Sequence, residues 1–392
     1  MAKNIVYLIG AGASYNCLPI VSDMHERMLL FMRLVSKSFP NDREALKEFY
    51  DIIDEIKYFG TPDTLARRYY LSDNRNILDE KLIKLKNLLS CFLLFEQYEK
   101  DDIIKSELFL CANKLEYIKQ LQDEEDRKNE KSKLLSKALN DIDSRYLSFI
   151  STISKIDKEL NYKFNISNNV TIISWNYDLQ IERAIQEYCN EDLLSIQNRF
   201  SFYPKLVDEK IDSFNNNFGF SVLKLNGIGA YYKSFESVEN SQDESMSANI
   251  LFDIKNEKLD FTILGKMKDI LIGKNVEYKN LLNFAWEHEN IRVRNAREFA
   301  KKRIKNANII VLIGYSFPDF NRLIDKEIFS EIKFISNPRN TKIASPIIYL
   351  HDPNSEIIKQ KLNGVKPNLK TRVVEVQNHG GNFIIPYEFW EN

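Results

Sequence analysis

Four short runs of this chain are almost wholly apolar, and each ends in a polar or glycine-rich turn: Ile5–Ile9, Val170–Ser174, Ile309–Ile313 and Ile347–Leu350. A strand with one wet face alternates in polarity, whereas a strand covered on both faces does not. Runs of the second kind, separated by stretches with helical spacing, predict a parallel sheet with helices on both sides. Phe220–Leu225 and Arg372–Val376 are fifth and sixth candidates. The expected fold is α/β, a doubly wound Rossmann-like parallel sheet. Ligands of such a sheet lie at the carboxyl ends of the strands, where the polar turns of this chain fall.

The first run leads straight into Gly10-Ala11-Gly12-Ala13-Ser14. Glycines there let the backbone turn sharply and approach a ligand, and a following helix aims its amides and positive dipole end at that ligand. A pyrophosphate suits such a place. An ordinary strand–turn–helix with glycines for packing is the plainer alternative. The dehydrogenase fingerprint does not fit, because its third glycine falls on Tyr15 and Met28–Met32 reads as continuing helix where a second strand is needed. A dinucleotide loop without hydride transfer is expected.

With 392 residues, the chain exceeds what one simple core needs. Residues 1–35 read as the first strand–helix unit and 36–163 as a large helical insertion. Residues 164–392 read as the rest of the sheet domain, with a polar loop at about 233–265. The charge run Asp123–Lys128 suits a solvated helix face or loop. A net charge of −1 gives no general electrostatic case for nucleic acid. No apolar run reaches the roughly 18 residues of a membrane span, and the first residues lack a signal peptide's apolar stretch. Cys17, Cys91, Cys111 and Cys189 are scattered without a CxxC pair. Reduced thiols, a cytoplasmic setting and no metal are therefore expected.

The other strand ends carry the chemistry. Asn176 and Asp178, in Trp175-Asn176-Tyr177-Asp178 before the expected helix Leu179–Tyr188, suit either a helix N-cap or a ligand contact. Asn226-Gly227 suits a plain turn or a site. Gly314 and Ser316 suit a ribose or phosphate, or a loop glycine and a helix cap, with Asp319 then capping the helix Asn321–Ile328. His351-Asp352-Pro353-Asn354 is either a polar strand end or an Asp-Pro turn. His379-Gly380-Gly381-Asn382 reads as a turn, the alternative being a segment that closes over the adenine end of a bound nucleotide.

Taken in order, GAGAS, SWNYD, KLNG, GYSFPD and HDPN resemble the nucleotide-binding motifs of the sirtuin superfamily. More closely, the chain is similar to the bacterial sirtuin-like proteins of anti-phage defence. Leu18-Pro19-Ile20 resembles that family's cofactor-loop proline, and Phe59–Thr64 resembles a short element of the defence branch. The resemblance implies NAD+ as substrate, with Gly10, Ala11, Gly12 and Ser14 around its pyrophosphate and Pro19 in the cofactor loop. It implies Asn176 at the nicotinamide ribose and Asp178 at the carboxamide. Gly314 and Ser316 would line the adenine-side ribose and phosphate, and Asn354 the adenosine ribose.

The activity implied is NAD+ glycohydrolysis, yielding nicotinamide and ADP-ribose, by a regulated NAD-depleting effector of abortive infection. The alternative is a catalytically degenerate NAD- or ADP-ribose-binding regulatory subunit of a defence complex. No sensor domain is evident after the sheet. Control by homo-oligomerisation or by an infection-sensing partner is expected, in that branch a HerA-type ATPase, an Argonaute or a nucleotide-processing subunit. Two departures bear on chemistry. The zinc module and acyl-lysine groove of deacetylating sirtuins are missing. The family's catalytic histidine is replaced by Asn226, and none of His25, His288, His351 and His379 falls there. Imidazole takes a proton near neutral pH and a carboxamide does not. Nicotinamide, however, leaves from an oxocarbenium-like state with little need of acid, so positioning and electrostatics supply much of the catalysis. The expected catalytic set is Asn176, Asp178 and Asn226, with Asn226 orienting a water or a ribose hydroxyl and Asp178 or another carboxylate assisting the water.

Overall fold

The computed structural model describes residues 3–391 apart from 72–74, 116–117, 119, 122, 158–162, 206–218, 234–248, 251–256, 275–277, 289, 333–344, 368 and 377–380. In chain order the strands are β1 (Ile5–Ile9), β2 (Ser154–Asp157), β3 (Lys163–Ile166), β4 (Val170–Ser174), β5 (Ser201–Tyr203) and β6 (Ser221–Lys224). They continue with β7 (Gly227–Lys233), β8 (Asn249–Ile250), β9 (Tyr278–Leu282), β10 (Ile309–Ile313), β11 (Ile347–His351) and β12 (Val373–Glu375). The helices used below are α1 (Val21–Ser38), α2 (Lys47–Phe59), α3 (Pro62–Leu71), α4 (Arg75–Gln97), α5 (Asp102–Ala112), α6 (Glu124–Ala138) and α7 (Ser144–Ile153). After β4 come α8 (Gln180–Cys189), α9 (Leu193–Arg199), α10 (Phe261–Leu271), α11 (Ile291–Lys305), α12 (Arg322–Ser330) and α13 (Ser355–Val365).

The fold is α/β, with a seven-stranded, all-parallel Rossmann-like sheet in the order β12-β11-β10-β1-β4-β6-β5. β1 pairs in register with β10 on one side and β4 on the other. Sequence order thus reverses at β1, and the crevice beyond the carboxyl ends of β1 and β10 is the topological switch point. Alternate side chains serve opposite faces. Val6, Leu8, Leu312 and Leu223 pack toward Phe299, Ile328 and Leu362 of α11, α12 and α13. Ile5, Tyr7, Ile9 and Ile172 pack toward Tyr146, Phe149 and Ile185 of α7 and α8. Both faces are covered, which explains the unbroken apolar runs.

A third core joins α1 to α6, α10 and the antiparallel sheet β8-β7-β9 through Phe31, Phe92, Tyr231, Met267 and Phe284. That small sheet and the edge strand β5 are absent from the sequence reading. β7 opens with Gly227-Ile228-Gly229-Ala230, which has no period-two contrast to reveal it.

Two expectations about helices are corrected. No α-helix follows the glycine loop directly: Ala11–Ser14 form a 3-10 turn, and α1 begins only at Val21. Buried Pro19 is the physical reason, since it disfavours helix at Leu18 and restarts the chain beyond it. The polar loop also ends early. Asp260 accepts from the Ile263 amide at 2.8 Å and caps α10 from Phe261, while 234–248 and 251–256 lie outside the described residues. His379 and Gly380 lie outside them too. No helix among the described residues is long and apolar enough to cross a membrane.

Candidate functional site

At the switch point two backbone loops are in close contact. The Gly10 amide donates to Ile313 O at 3.0 Å, Gly12 to Gly314 O at 3.0 Å, and Ala13 back to Gly10 O at 2.9 Å. A side chain on Gly10 would strike Gly314 O at 2.6 Å. One on Gly314, whose φ is +57°, would lie 2.3 Å from Ala13 N. These glycines therefore let the β1 loop lie against the β10 loop, and three loop amides are already bonded within the protein. The glycines are used in packing the two loops, and the α-helix expected directly behind the motif is replaced by a 3-10 turn. Ala11 is exposed at the rim.

Behind the loop, Ser14 is buried and fully used. Its hydroxyl donates to Asp178 Oδ2 at 2.8 Å, and it lies 3.0 Å from the Tyr146 hydroxyl and 3.3 Å from Asn176 Nδ2. One donor and two acceptor positions are thereby satisfied. Asn176 Nδ2 also donates to Gly10 O at 3.0 Å. The other Asp178 oxygen accepts from the Gln180 amide at 3.2 Å, while Leu179 occupies the N-cap position of α8 without a side-chain cap. Both carboxylate oxygens are therefore engaged internally, and Asp178 ties the β4 end to the β1 loop. Burial, with Asp178 close by, raises the Tyr146 phenol well above its ordinary value.

Lys224, two residues before Asn226, forms a buried ion pair with Glu182 at 2.8 Å and also donates to Asp178 O. Burial raises the Glu182 carboxyl. Gly227 has φ +74°, and a Cβ there would meet Leu281 O at 2.0 Å, so this glycine serves the approach of β9. Asn226 is 3% exposed. Its Nδ2 donates to the Tyr177 hydroxyl at 3.3 Å, while Oδ1 is buried with no hydrogen-bond partner. Such an orphan invites a functional explanation.

Tyr177, passed over between Asn176 and Asp178 in the sequence, is central here. Its carbonyl accepts from the Gly229 amide at 2.7 Å, and its ring meets Phe284 edge-on at 6.3 Å. Phe284 stacks on Trp286 at 4.9 Å, and Trp286 Nε1 is likewise buried without a partner. Arg67 of α3 lies over Trp286 at 5.4 Å. The same helix begins with Pro62 and Asp63, and Asp63 faces Tyr177. Burial pushes the Asp63 carboxyl up to about 6, with its own backbone amide and the Tyr177 hydroxyl acting against that rise. Burial, then the nearby Asp63 and Glu287, raises Tyr177 well above the phenol range. Helix α3 thus lies near Tyr177 and Trp286.

On the other side, Tyr315 stacks on Trp175 at 5.9 Å and donates to Asp325 Oδ2 at 2.7 Å. Burial pushes the Asp325 carboxyl up to about 8. Ser316 is exposed, and its carbonyl accepts from Lys361 at 3.0 Å. Asn354 is exposed at the end of β11, its amide donating to Asp352 Oδ1 at 2.8 Å. Asp319 does not cap α12: its side chain is 90% exposed and meets Arg322 at 3.6 Å. A 3-10 turn at Asp319–Asn321 carries the chain into that helix instead.

Gly10, Gly12, Ser14, Asn176, Asp178 and Gly314 are brought into one contiguous cluster. Asn226 stands beside it through Tyr177, Ser316 and Asn354 follow β10 and β11 at the same sheet edge, and Pro19 is buried in the segment before α1. No group of three or more His, Cys, Asp or Glu that could hold a metal ion occurs among the described residues. The chain matches no family model, no curated protein and no solved structure.

Proposed function

We propose that this chain is a sirtuin-like NAD+ glycohydrolase, a regulated NAD-depleting effector of bacterial anti-phage defence acting in the cytoplasm. One observation carries the reading. All five segments with the family resemblance lie at a single edge of one parallel sheet, around the β1/β10 switch point where a dinucleotide binds in open α/β sheets. Asn176 is held there by Gly10 O and Ser14, a preorganised amide rather than a mobile surface group. Nicotinamide departs with the electron pair of its bond to ribose, so a site that positions the ribose and admits the attacking water can act without a histidine at Asn226.

An enzyme that consumes NAD+ continuously would be toxic to its host cell. Activity is therefore gated by homo-oligomerisation or by an infection-sensing partner such as a HerA-type ATPase, an Argonaute or a nucleotide-processing subunit. A second reading, a regulatory subunit that binds NAD+ or ADP-ribose without cleaving it, is favoured by Asn226 itself and by the internal use of the Gly10, Gly12 and Ala13 amides. Incubation with NAD+ while following nicotinamide, beside calorimetric binding of ADP-ribose, separates the two. Release with binding supports the hydrolase, and binding without release supports the subunit.

A further inference from the structure

We propose that Arg145, with Asn140 beside it, is a positioning residue for the diphosphate of the substrate: it holds the back half of the β1 loop, Ala13–Cys17, in the shape that receives that group. The proposal rests on the hydrolase reading above for its substrate. It names side chains outside the five resembling segments on which the site depends.

The β1 loop is held from two sides. Its front half, at Gly10 and Gly12, is bonded to the β10 loop. Its back half is bonded to the link between α6 and α7 and to the start of α7. Arg145 Nη2 donates to Ala13 O at 2.8 Å, and Asn140 Nδ2 donates to Asn16 O at 2.9 Å. Cys17 Sγ donates back to Asn140 O at 3.0 Å, and Asn16 Nδ2 to Asp143 Oδ1 at 3.4 Å. Tyr146, next to Arg145, brings its hydroxyl within 3.0 Å of the Ser14 hydroxyl. Tyr15 carries the Arg145 guanidinium over its ring at 4.6 Å. Each residue from Ala13 to Cys17 therefore touches the stretch Asn140–Tyr146.

That stretch is itself fixed. Gln180 Oε1 accepts from the Asp143 amide at 2.8 Å and Gln180 Nε2 donates to Asp141 O at 3.1 Å, which anchors the link to α8. Asp143 is fully buried and takes Nε and Nη2 of Arg145 at 3.0 and 2.6 Å. Phe383 packs over the guanidinium at 5.2 Å and meets Tyr146 edge-on at 5.0 Å. A buried ion pair often stabilises no more than apolar side chains of equal volume would, whereas a planar guanidinium sets direction. Here it spans a carboxylate and a loop carbonyl at once, and so fixes the distance between link and loop. Ala11 and Tyr15 of the loop are exposed, and the loop leaves β1 at the switch point, where the diphosphate of a dinucleotide lies in sheets of this kind. A small displacement of such a loop is costly to a ligand that its backbone must fit.

Arg145→Ala leaves the Asp143 carboxylate buried and unpaired, which endangers folding. Arg145→Lys keeps a cation beside Asp143 but lacks the fork that also reaches Ala13 O. Asn140→Ala removes no charge and serves as the second variant. The test is the kinetics of nicotinamide release by the full chain, beside calorimetric binding of ADP-ribose. KM and the ADP-ribose Kd are expected to rise together, about 10-fold in Arg145→Lys and less in Asn140→Ala, with kcat within about 2-fold of the wild type. A merely structural role lowers kcat through the amount of folded protein and leaves KM and Kd alone. That result, or wild-type KM and Kd in both variants, overturns the inference. A wild type that binds ADP-ribose without releasing nicotinamide overturns the hydrolase reading alone, and the Kd values of the variants then decide the inference. A wild type that does neither overturns both.

Discussion

Ser14 and Asp178 meet at 2.8 Å across the gap between the β1 loop and the end of β4. The bond joins two motifs far apart in sequence, and Tyr146 and Asn176 share the same hydroxyl. Ser14→Ala removes the donor to a buried carboxylate and the acceptor for two further groups. A loss of about 1–3 kcal/mol is expected, seen as a lower urea midpoint, together with weaker ADP-ribose binding as the loop loosens. An unchanged midpoint contradicts the network.

Asn226 predicts the opposite balance. Its Oδ1 has no partner and its Nδ2 makes one long bond to Tyr177, so Asn226→Leu gives up little hydrogen bonding. Stability is expected to change by less than about 1 kcal/mol, while nicotinamide release is lost. If the variant unfolds easily but turns over normally, Asn226 is a structural residue.

Glycine positions differ sharply in what they tolerate. At Gly314 a methyl group meets Ala13 N at 2.3 Å in addition to the positive φ. At Gly60, φ is +84° but nothing lies within 4 Å. Gly60→Ala is expected to cost about 1 kcal/mol through backbone strain, and Gly314→Ala several times that, measured by thermal unfolding. Equal shifts would mean that the two strand-end loops do not pack as described.

Asp325 makes stability fall with rising pH. Burial lifts its carboxyl from 3.8 to about 8, and the folded protein therefore holds a proton that the unfolded chain has released. Its contribution is complete below the unfolded value near 3.8, declines as pH rises, and is lost beyond about 8. Asp325→Asn keeps an acceptor for Tyr315 and removes the titration. Denaturant midpoints across this range are expected to be flatter in the variant, which gains on the wild type in alkali. A parallel pH dependence in both proteins rules this out.

Strands such as Ile309–Ile313 were legible because a strand buried on both faces must be apolar throughout. The polar groups at their ends were legible for the related reason that parallel strands present their carboxyl ends to one edge. The 3-10 turn was less so, since besides Pro19 it depends on Gly10 and Gly12 packing on Gly314, a contact across most of the chain. The place of Asp63 was not legible. Pro62-Asp63 reads as any helix start, and its meeting with Tyr177 depends on where α3 lies. The role of Tyr177 was not legible either, because hydrophobic spacing cannot show that an aromatic residue joins β7, Phe284 and Asn226.

The central claim is that this edge of the sheet cleaves NAD+. Its most direct test is nicotinamide release by the purified chain, alone and mixed with the product of its neighbouring gene, beside Asn176→Ala. The account predicts matched release of nicotinamide and ADP-ribose by the wild type in at least one of these conditions, and none by the variant. Bound NAD+ that stays intact in both conditions, or equal release by Asn176→Ala, would contradict it.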